Sequence, residues 1–134
     1  MIHIFKPLPY KPDWTITNYP DNHWTKQLSD PNGNVIYYAE SNGYWWKREY
    51  NQNNRVTYYI NALSEWKQWK FDNNNNLTFY TTSDNHWEKW EYNNNGKLIY
   101  YENCGGYWYR KEYDENGKLI YSLDVDGIIN QGIL

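Results

Sequence analysis

A tryptophan recurs every 21 residues through most of the chain, and this period constrains the fold more than any other feature of the sequence. The spacing holds without an insertion through Trp24, Trp45, Trp66, Trp87 and Trp108. If each tryptophan is taken as position zero, position eight is always Asn, position eleven is Val or Leu, and position thirteen is Tyr or Phe. Short fixed periods are typical of arrays in which each copy packs on its neighbours. The sequence therefore predicts a tandem-repeat protein.

Each copy contains the signal for a tight hairpin turn. Residues 114–118 of the fifth copy read DENGK, and position nine is Gly or Asn in every copy. These residue types tolerate the positive φ that a type I turn followed by a left-handed bulge residue requires. Turn-forming stretches such as residues 40–43 (ESNG) separate successive copies. Each copy is thus predicted to be two short strands joined by a turn.

The turn also predicts a register and a fold class. If position six pairs with position ten, then position five faces eleven and position three faces thirteen. Positions one, three, five, eleven and thirteen then share one face of the sheet, and zero, two, four, twelve and fourteen share the other. The predicted class is all-β. It is an antiparallel β-meander of five tandem hairpin repeats in a twisted or coiled single sheet of about ten strands, with a partly closed barrel as the alternative.

The period divides the chain into three predicted segments. Residues 22–125 hold the five hairpin repeats, residues 1–21 are predicted to be an N-terminal arm or cap, and residues 126–134 a C-terminal cap. Caps are expected because the first and last strands of an open sheet would otherwise pair with other chains.

Aromatic residues dominate the apolar composition. The chain has 16 Tyr and 9 Trp but only 8 Leu and 3 Val, and Tyr and Trp carry polar groups that need water or a partner. An open, half-wet aromatic sheet is therefore predicted rather than a dry core.

Charge and hydropathy disfavour several classes of partner. The net charge is -3 and basic residues alternate with acidic ones, which makes free nucleic acid a poor main partner. No apolar stretch is long enough to span a membrane. The opening residues contain three prolines and lack the apolar region of a secretory signal, and the chain has one cysteine. A cytoplasmic location is expected.

Known catalytic and metal-binding patterns are not recognisable in the sequence. His23 and His86 occupy the same repeat slot and are not expected to form a ligand pair. No Ser-His-Asp or Cys-His arrangement is visible, and Cys104 falls in a predicted turn where it is expected to be merely exposed. A protein that is not an enzyme is predicted, with no cofactor, no metal and no small-molecule ligand.

The repeat consensus W-x-K-x-E-Y-D-x-N-G-K-L-I-Y-Y, which covers residues 22–127, resembles tandem repeats of small bacterial and bacteriophage proteins. Through residues 112–117 and 89–93 it is also loosely similar to the tyrosine-aspartate repeats of RHS-type toxin shells. A weaker similarity, through residues 43–46 and 106–109, is to aromatic cell-wall-binding repeats. These resemblances imply hairpins in series and no catalytic residues.

Variation between copies indicates where a partner would bind. Positions one and three differ from copy to copy, as a surface fitted to one asymmetric partner would. The leading hypothesis is a phage or mobile-element inhibitor that binds a host protein or ribonucleoprotein complex, such as a CRISPR-type defence effector. The alternatives are a carbohydrate or cell-envelope module and a self-assembling structural repeat. The predicted partner-binding residues are Trp46, Arg48, Trp69, Trp90, Tyr109, Lys111, Lys47, Lys89 and Arg110.

Overall fold

The described part of the chain is built from β-strands joined by tight turns. A computed structural model describes residues 3–131, with side-chain surroundings for residues 3–127. The strands are β1 (Asp13–Asn18), β2 (Trp24–Ser29), β3 (Val35–Glu40), β4 (Trp45–Tyr50), β5 (Val56–Asn61), β6 (Trp66–Phe71), β7 (Leu77–Thr82), β8 (Trp87–Tyr92), β9 (Leu98–Asn103), β10 (Trp108–Tyr113), β11 (Leu119–Asp124) and β12 (Gly127–Gln131). The predicted all-β class is confirmed, and each repeat tryptophan is the first residue of a strand.

The strands follow one another in the sheet in chain order, from β1 to β12. The first and last strands stand at opposite ends of this order, so the hydrogen-bond order is that of an open meander and not of a closed barrel. The two strands beyond the ten expected, β1 and β12, lie in the segments predicted as caps. The remainder of the predicted C-terminal cap, residues 132–134, lies outside the described residues. Within residues 3–131, no helix has the length and apolarity to cross a membrane.

The chain divides into two compact units, which are described separately below. The N-terminal unit comprises residues 1–67 and the C-terminal unit residues 68–134. Each contains complete hairpins, so each presents its own version of the repeat surface.

The turn inside each copy has the geometry that its sequence predicts. In the first copy, the amide of Gly33 donates to the carbonyl of Asp30 (3.0 Å), and Gly33 has a φ of +83°. One carboxylate oxygen of Asp30 accepts from the amides of Asn32 (2.9 Å) and Asn34 (2.8 Å). Asn54 and Asn75 adopt the same left-handed backbone in the copies that lack glycine. Local hydrogen bonds of this kind stabilise the turn without any help from a core.

The turn between copies repeats the same chemistry. The amide oxygen of Asn61 accepts from the amides of Leu63 (3.0 Å) and Glu65 (3.1 Å), and Ser64 has a φ of 62°. In the turn that follows β9, the amide oxygen of Asn103 accepts from Gly105 (2.9 Å). Asparagine and aspartate therefore start turns at both ends of the hairpins, which accounts for the asparagine-rich composition.

The predicted register is only half right. In the fourth copy Tyr92 pairs with Leu98, as expected for positions five and eleven, but the next pair is Glu91 with Tyr100. One extra residue, Ile99, is inserted between them as a β-bulge, and a one-residue slip exchanges the faces of everything beyond it. Position thirteen therefore lies on the face of positions zero, two and four, while position fourteen joins positions one and three.

Tyrosines at position five tie three of the hairpins to the preceding one. The hydroxyl of Tyr50 donates to the carbonyl of Val35 (3.0 Å), Tyr92 to Leu77 (2.9 Å) and Tyr113 to Leu98 (3.3 Å). Each bond spans 15 residues and ends on the position-eleven residue of the previous copy. The same side chain thus fixes the same contact in three copies.

Buried side chains are few in the described residues. The buried apolar ones are Leu28, Ala39 and Tyr58, which are 7%, 8% and 6% exposed. Most strand residues are half-buried, so the stability of this sheet depends on cross-strand pairs more than on a central core.

Candidate functional site

The side chains of positions one, three and fourteen share one surface, which we call the aromatic face. The bulge brings position fourteen to this face, where it lies opposite position three of its own copy and position one of the next, as Tyr59 does with Arg48 and Tyr38 with Trp46. Because positions one and fourteen are aromatic in several copies, neighbouring strands bring their rings together.

In the N-terminal unit, the aromatic face is centred on Trp46. Its ring stacks on Tyr38 (centroids 5.7 Å apart, planes at 18°) and lies 6.4 Å from Tyr59. The guanidinium carbon of Arg48 sits 4.1 Å from the Trp46 ring centroid and 5.8 Å from that of Tyr59. A cation–π contact at a site that water can reach stabilises the pair of side chains by about 0.5 to 1 kcal/mol. The cluster is therefore preorganised but still open to a partner.

In the C-terminal unit, the aromatic face is centred on Tyr101. Its ring lies 5.7 Å from Trp90 and stacks on Tyr109 at 5.3 Å and 25°. The ammonium of Lys111 lies 5.0 Å from the Tyr109 ring centroid. A second group of rings continues the surface, with Trp69 5.4 Å from Tyr80.

The phenol groups of Tyr109 and Tyr38 on this face are neutral. Burial raises the pKa of Tyr109, and the neighbouring phenols of Tyr101 and Tyr107 add to the effect. Burial also raises the pKa of Tyr38, whose hydroxyl donates to Glu40 (3.1 Å). Since an ordinary tyrosine titrates near pH 10, these hydroxyls remain hydrogen-bonding groups at neutral pH.

The structure divides the predicted partner-binding residues between two faces. Trp46, Arg48, Trp69, Trp90, Tyr109 and Lys111 lie on the aromatic face, whereas the position-two cations Lys47, Lys89 and Arg110 lie on the opposite one. Lys89 forms an ion pair with Glu91 (2.6 Å), and Arg110 lies 3.4 Å from Glu112. These cations are engaged by neighbours on their own strands.

The N-terminal arm lies on the opposite face of the N-terminal unit. The imidazole of His3 stacks on Tyr58 (3.6 Å, 10°), its Nε2 lies 3.0 Å from a carboxylate oxygen of Glu49, and Phe5 meets Tyr58 edge-on. Lys47 is directed at Phe5, with 5.6 Å between its ammonium and the ring centroid. Tyr58 is buried by these contacts, so this face is already occupied by the chain's own residues.

Cys104 is exposed, as predicted, but it also makes a contact with a histidine that the sequence analysis did not predict. The Sγ of Cys104 lies 3.5 Å from Nδ1 of His86, and Nε2 of His86 lies 2.9 Å from a carboxylate oxygen of Glu88. The hydrogen bond from His86 lowers the pKa of Glu88. Across the described residues, no group of three or more His, Cys, Asp or Glu side chains is placed to hold a metal ion.

The signal for this contact in the sequence is the repeat position of the two residues and not their linear spacing. Cys104 and His86 are 18 residues apart and match no linear motif. In a 21-residue hairpin repeat, however, position seventeen lies beside the residue that precedes the tryptophan, since the amide of Cys104 donates to the carbonyl of Trp87 (3.0 Å). The repeat therefore places Cys104 next to His86, although the two residues match no linear motif.

No protein-family model matches the chain, and no curated protein matches it. Among solved structures, the chain is similar to part of the TcdB2–TccC3–TEV crystal structure, with a TM-score of 0.55 and 14% identity over 80% of this chain. The TcdB2–TccC3–Cdc42 crystal structure aligns with a TM-score of 0.46 and 13% identity over 78% of this chain.

The chain spans only 6% of the length of the TcdB2–TccC3–TEV chain that it matches. At this identity the likeness concerns the fold alone. In this chain the shared fold is a series of tandem, tryptophan-containing β-hairpins. The expected hairpins in series are thus confirmed, whereas the resemblance of the 21-residue motif to particular repeat families stays a prediction.

Proposed function

We propose that the chain is a non-enzymatic binding module that holds another protein against its aromatic face. The observation that carries this proposal is the Trp46 cluster, where a half-buried indole stacks on Tyr38 and lies 4.1 Å from the guanidinium carbon of Arg48. Trp, Tyr and Arg are the residues that most often dominate binding energy at protein interfaces. Their mutual contacts reduce the entropy that binding would cost.

Charge and copy-to-copy variation favour a protein over a polyanion or a repeated ligand. Arg48 and Lys111 are associated with rings and do not form a continuous basic stripe, and the net charge is -3. Position one is Trp46 in one copy and Tyr109 in another, so the copies do not offer identical cages. A single asymmetric partner suits such a surface better than a row of equal sugar or phosphate sites.

The finer form of the proposal names the partner class. The chain would act in a bacterial cytoplasm as a phage or mobile-element inhibitor that binds a host protein or ribonucleoprotein complex, such as a defence effector. Its support is the repeat surface and the resemblance of the repeat to those of small bacteriophage proteins.

The experiment compares neighbouring residues of one strand that point to opposite faces. The tagged full chain is used to retain proteins from the source host, and the bound partner is then quantified for Lys111→Glu and Arg48→Glu. Arg110→Glu and Lys47→Glu make the same charge change on the same strands but on the other face. Partner retention should fall about tenfold or more for the first pair, as expected for loss of a hot-spot residue, and less than about twofold for the second.

Retention that falls instead with Arg110→Glu would contradict the assignment of the aromatic face. Binding to a glycan array with no retained protein would favour the carbohydrate alternative.

A structural role is the second candidate, because the fold recurs as 6% of a much longer chain in the TcdB2–TccC3–TEV structure. A repeat module of that kind would associate with further copies through its first or last strand. Concentration-dependent association in sedimentation, abolished by a proline in β1 at Thr15, would support this candidate over the proposed one.

A further inference from the structure

The C-terminal unit contains a linked series of four polar side chains around the turn between β9 and β10. Cys104 is exposed, and its Sγ lies 3.5 Å from Nδ1 of His86. Nε2 of His86 lies 2.9 Å from Oε1 of Glu88, and the hydroxyl of Tyr101 donates to Oε2 of the same carboxylate (2.9 Å). Both oxygens of Glu88 are therefore engaged, which fixes the carboxylate that orients the imidazole.

Strand pairing holds these groups together. Glu88 pairs with Asn103 in the β8–β9 ladder, and the amide of Cys104 donates to the carbonyl of Trp87 (3.0 Å). His86 directly precedes β8, and Cys104 is the first residue of the turn that follows β9. The pairing of β8 with β9 therefore places the thiol beside the imidazole. The contact rests on the same backbone bonds as the rest of the sheet.

The order thiol, imidazole, carboxylate is the arrangement that activates a nucleophile. With Nε2 donating to Glu88, the neutral imidazole presents the lone pair of Nδ1 to the thiol and can accept its proton. The thiolate is the reactive form of cysteine, and a neighbouring imidazolium stabilises it.

This combination occurs in one copy only. The slot of Cys104 holds Ser41, Ala62, Ser83 or Val125 in the others, and the slot of His86 holds His again only in the first copy. There His23 stacks on Tyr19 (4.9 Å), and Thr25 stands where Glu88 stands in the fourth copy. Cysteine, histidine and glutamate thus occur together only in the fourth copy, whereas the fold itself requires none of them.

The backbone around the thiol limits the chemistry. The amides of Gly105 and Gly106 are engaged by the side chain and carbonyl of Asn103 (2.9 and 3.1 Å), and that of Cys104 by Trp87. These amides are therefore not directed at an oxyanion, which acyl transfer would need beside the nucleophile. Attack on a disulfide needs no such donor, because the charge moves onto the leaving sulfur.

We propose that Cys104 is an activated thiol that undergoes thiol–disulfide exchange with a disulfide of a partner molecule. The proton of the thiol passes to Nδ1 of His86, and the thiolate attacks one sulfur of the disulfide R–S–S–R′. The bond between Cys104 Sγ and the first sulfur forms, the S–S bond of the disulfide breaks, and R′–S⁻ leaves and takes up the proton. Because the chain has one cysteine, it contains no second thiol that could attack the mixed disulfide and release R–SH, so the product is an intermolecular mixed disulfide.

The test measures the second-order rate of Cys104 with 4,4′-dithiodipyridine, a neutral disulfide, in the folded full chain at pH 7. His86→Ala should lower this rate about tenfold, because it removes the base that accepts the proton of the thiol. Free imidazole added to the His86→Ala protein should restore part of the rate. A positioning role for Glu88 predicts an intermediate loss in Glu88→Gln and recovery in Glu88→Asp.

A matched control places a cysteine in the equivalent turn of the first copy, as Ser41→Cys in a Cys104→Ser chain. This thiol is equally exposed by position but has no carboxylate-oriented imidazole, so it should react at the slow rate of His86→Ala. Near-UV circular dichroism verifies that each variant is folded. Equal rates for Cys104, the His86→Ala protein and the Ser41→Cys control would overturn the proposal. This outcome is independent of whether the aromatic face binds a protein.

Discussion

The same three repeat slots have different partners in the two units. In the N-terminal unit, Glu49 binds His3 of the arm, and Lys47 lies near the Phe5 ring. In the C-terminal unit, the equivalent Lys89 and Glu91 pair with each other at 2.6 Å. Tyr58 is 6% exposed, whereas Tyr100 in the equivalent slot is only half-buried. The repeat therefore specifies a side chain and its place on a strand, but a segment outside the repeat decides what that side chain contacts.

The largest expected effect tests this difference directly. Tyr58→Ala should lower the free energy of unfolding by about 3 kcal/mol, because it removes a buried ring and the platform of His3 and Phe5. Tyr100→Ala should cost about half as much, since its ring is already partly hydrated. Urea unfolding of both variants measures the two losses. Equal losses would show that the arm adds nothing to the burial of Tyr58.

The turn slot that holds glycine in some copies and asparagine in others gives the next largest effect. Gly96→Ala should lower the free energy of unfolding by about 1 to 2 kcal/mol, because a φ of 75° is strained for a residue with a Cβ. Asn54→Gly in the N-terminal unit should change it by less than about 0.5 kcal/mol, since Asn54 already adopts the left-handed backbone. Thermal unfolding of the pair checks both values. A larger loss in Asn54→Gly would mean that the asparagine side chain, and not the backbone, holds that turn.

The hydrogen bonds from the position-five tyrosines should contribute equally to the free energy of unfolding in the two units. Tyr92→Phe and Tyr50→Phe each remove one hydroxyl bond to a carbonyl 15 residues earlier, at 2.9 and 3.0 Å. Each should lower the free energy of unfolding by about 1 kcal/mol. The third copy carries Phe71 in this slot, so the ring alone is compatible with the fold. A loss confined to one variant would show that the ties are not equivalent.

The smallest effect concerns the acid range. The pKa of Glu88 is lowered in the folded chain by the hydrogen bond from His86, so this carboxylate favours folding above its ordinary value of 4.5. Its contribution is lost as the pH falls through the lower, folded value. For a partly exposed group this amounts to a few tenths of a kcal/mol.

Urea midpoints of wild type and Glu88→Gln should therefore differ at pH 6 and converge at pH 3. The N-terminal unit has Trp46 in the same slot, so Trp46→Gln should show no such convergence. A difference that persists for Glu88→Gln at pH 3 would mean that its effect is not electrostatic.

Local features of this fold could be predicted from the sequence, and contacts across the sheet could not. The turns at Asn32-Gly33 and Asn95-Gly96 are set by backbone sterics and by the side chains of Asp30 and Asn93, which are all close in sequence. The faces predicted for positions thirteen and fourteen were wrong, because a single bulge residue such as Ile99 does not change the 21-residue period of the sequence.

The arm contact was beyond sequence reasoning for another reason. His3 and Phe5 lie outside the repeat, and they contact Tyr58 more than 50 residues away, so no period relates them. The predicted site is divided between two faces because it contains adjacent strand residues such as Arg110 and Lys111. The side chains of adjacent strand residues point to opposite faces of the sheet. Whether Arg48 or Lys111 contacts a partner remains a prediction.

The position-five tyrosines also bear on the order in which the hairpins form during synthesis. Because Tyr50, Tyr92 and Tyr113 each donate to a carbonyl made 15 residues earlier, a hairpin is fastened by the copy that follows it. A chain synthesised from its N-terminus would therefore complete these three hairpins only after the ribosome has released the first strand of the next copy. For these hairpins, assembly would advance one copy behind synthesis.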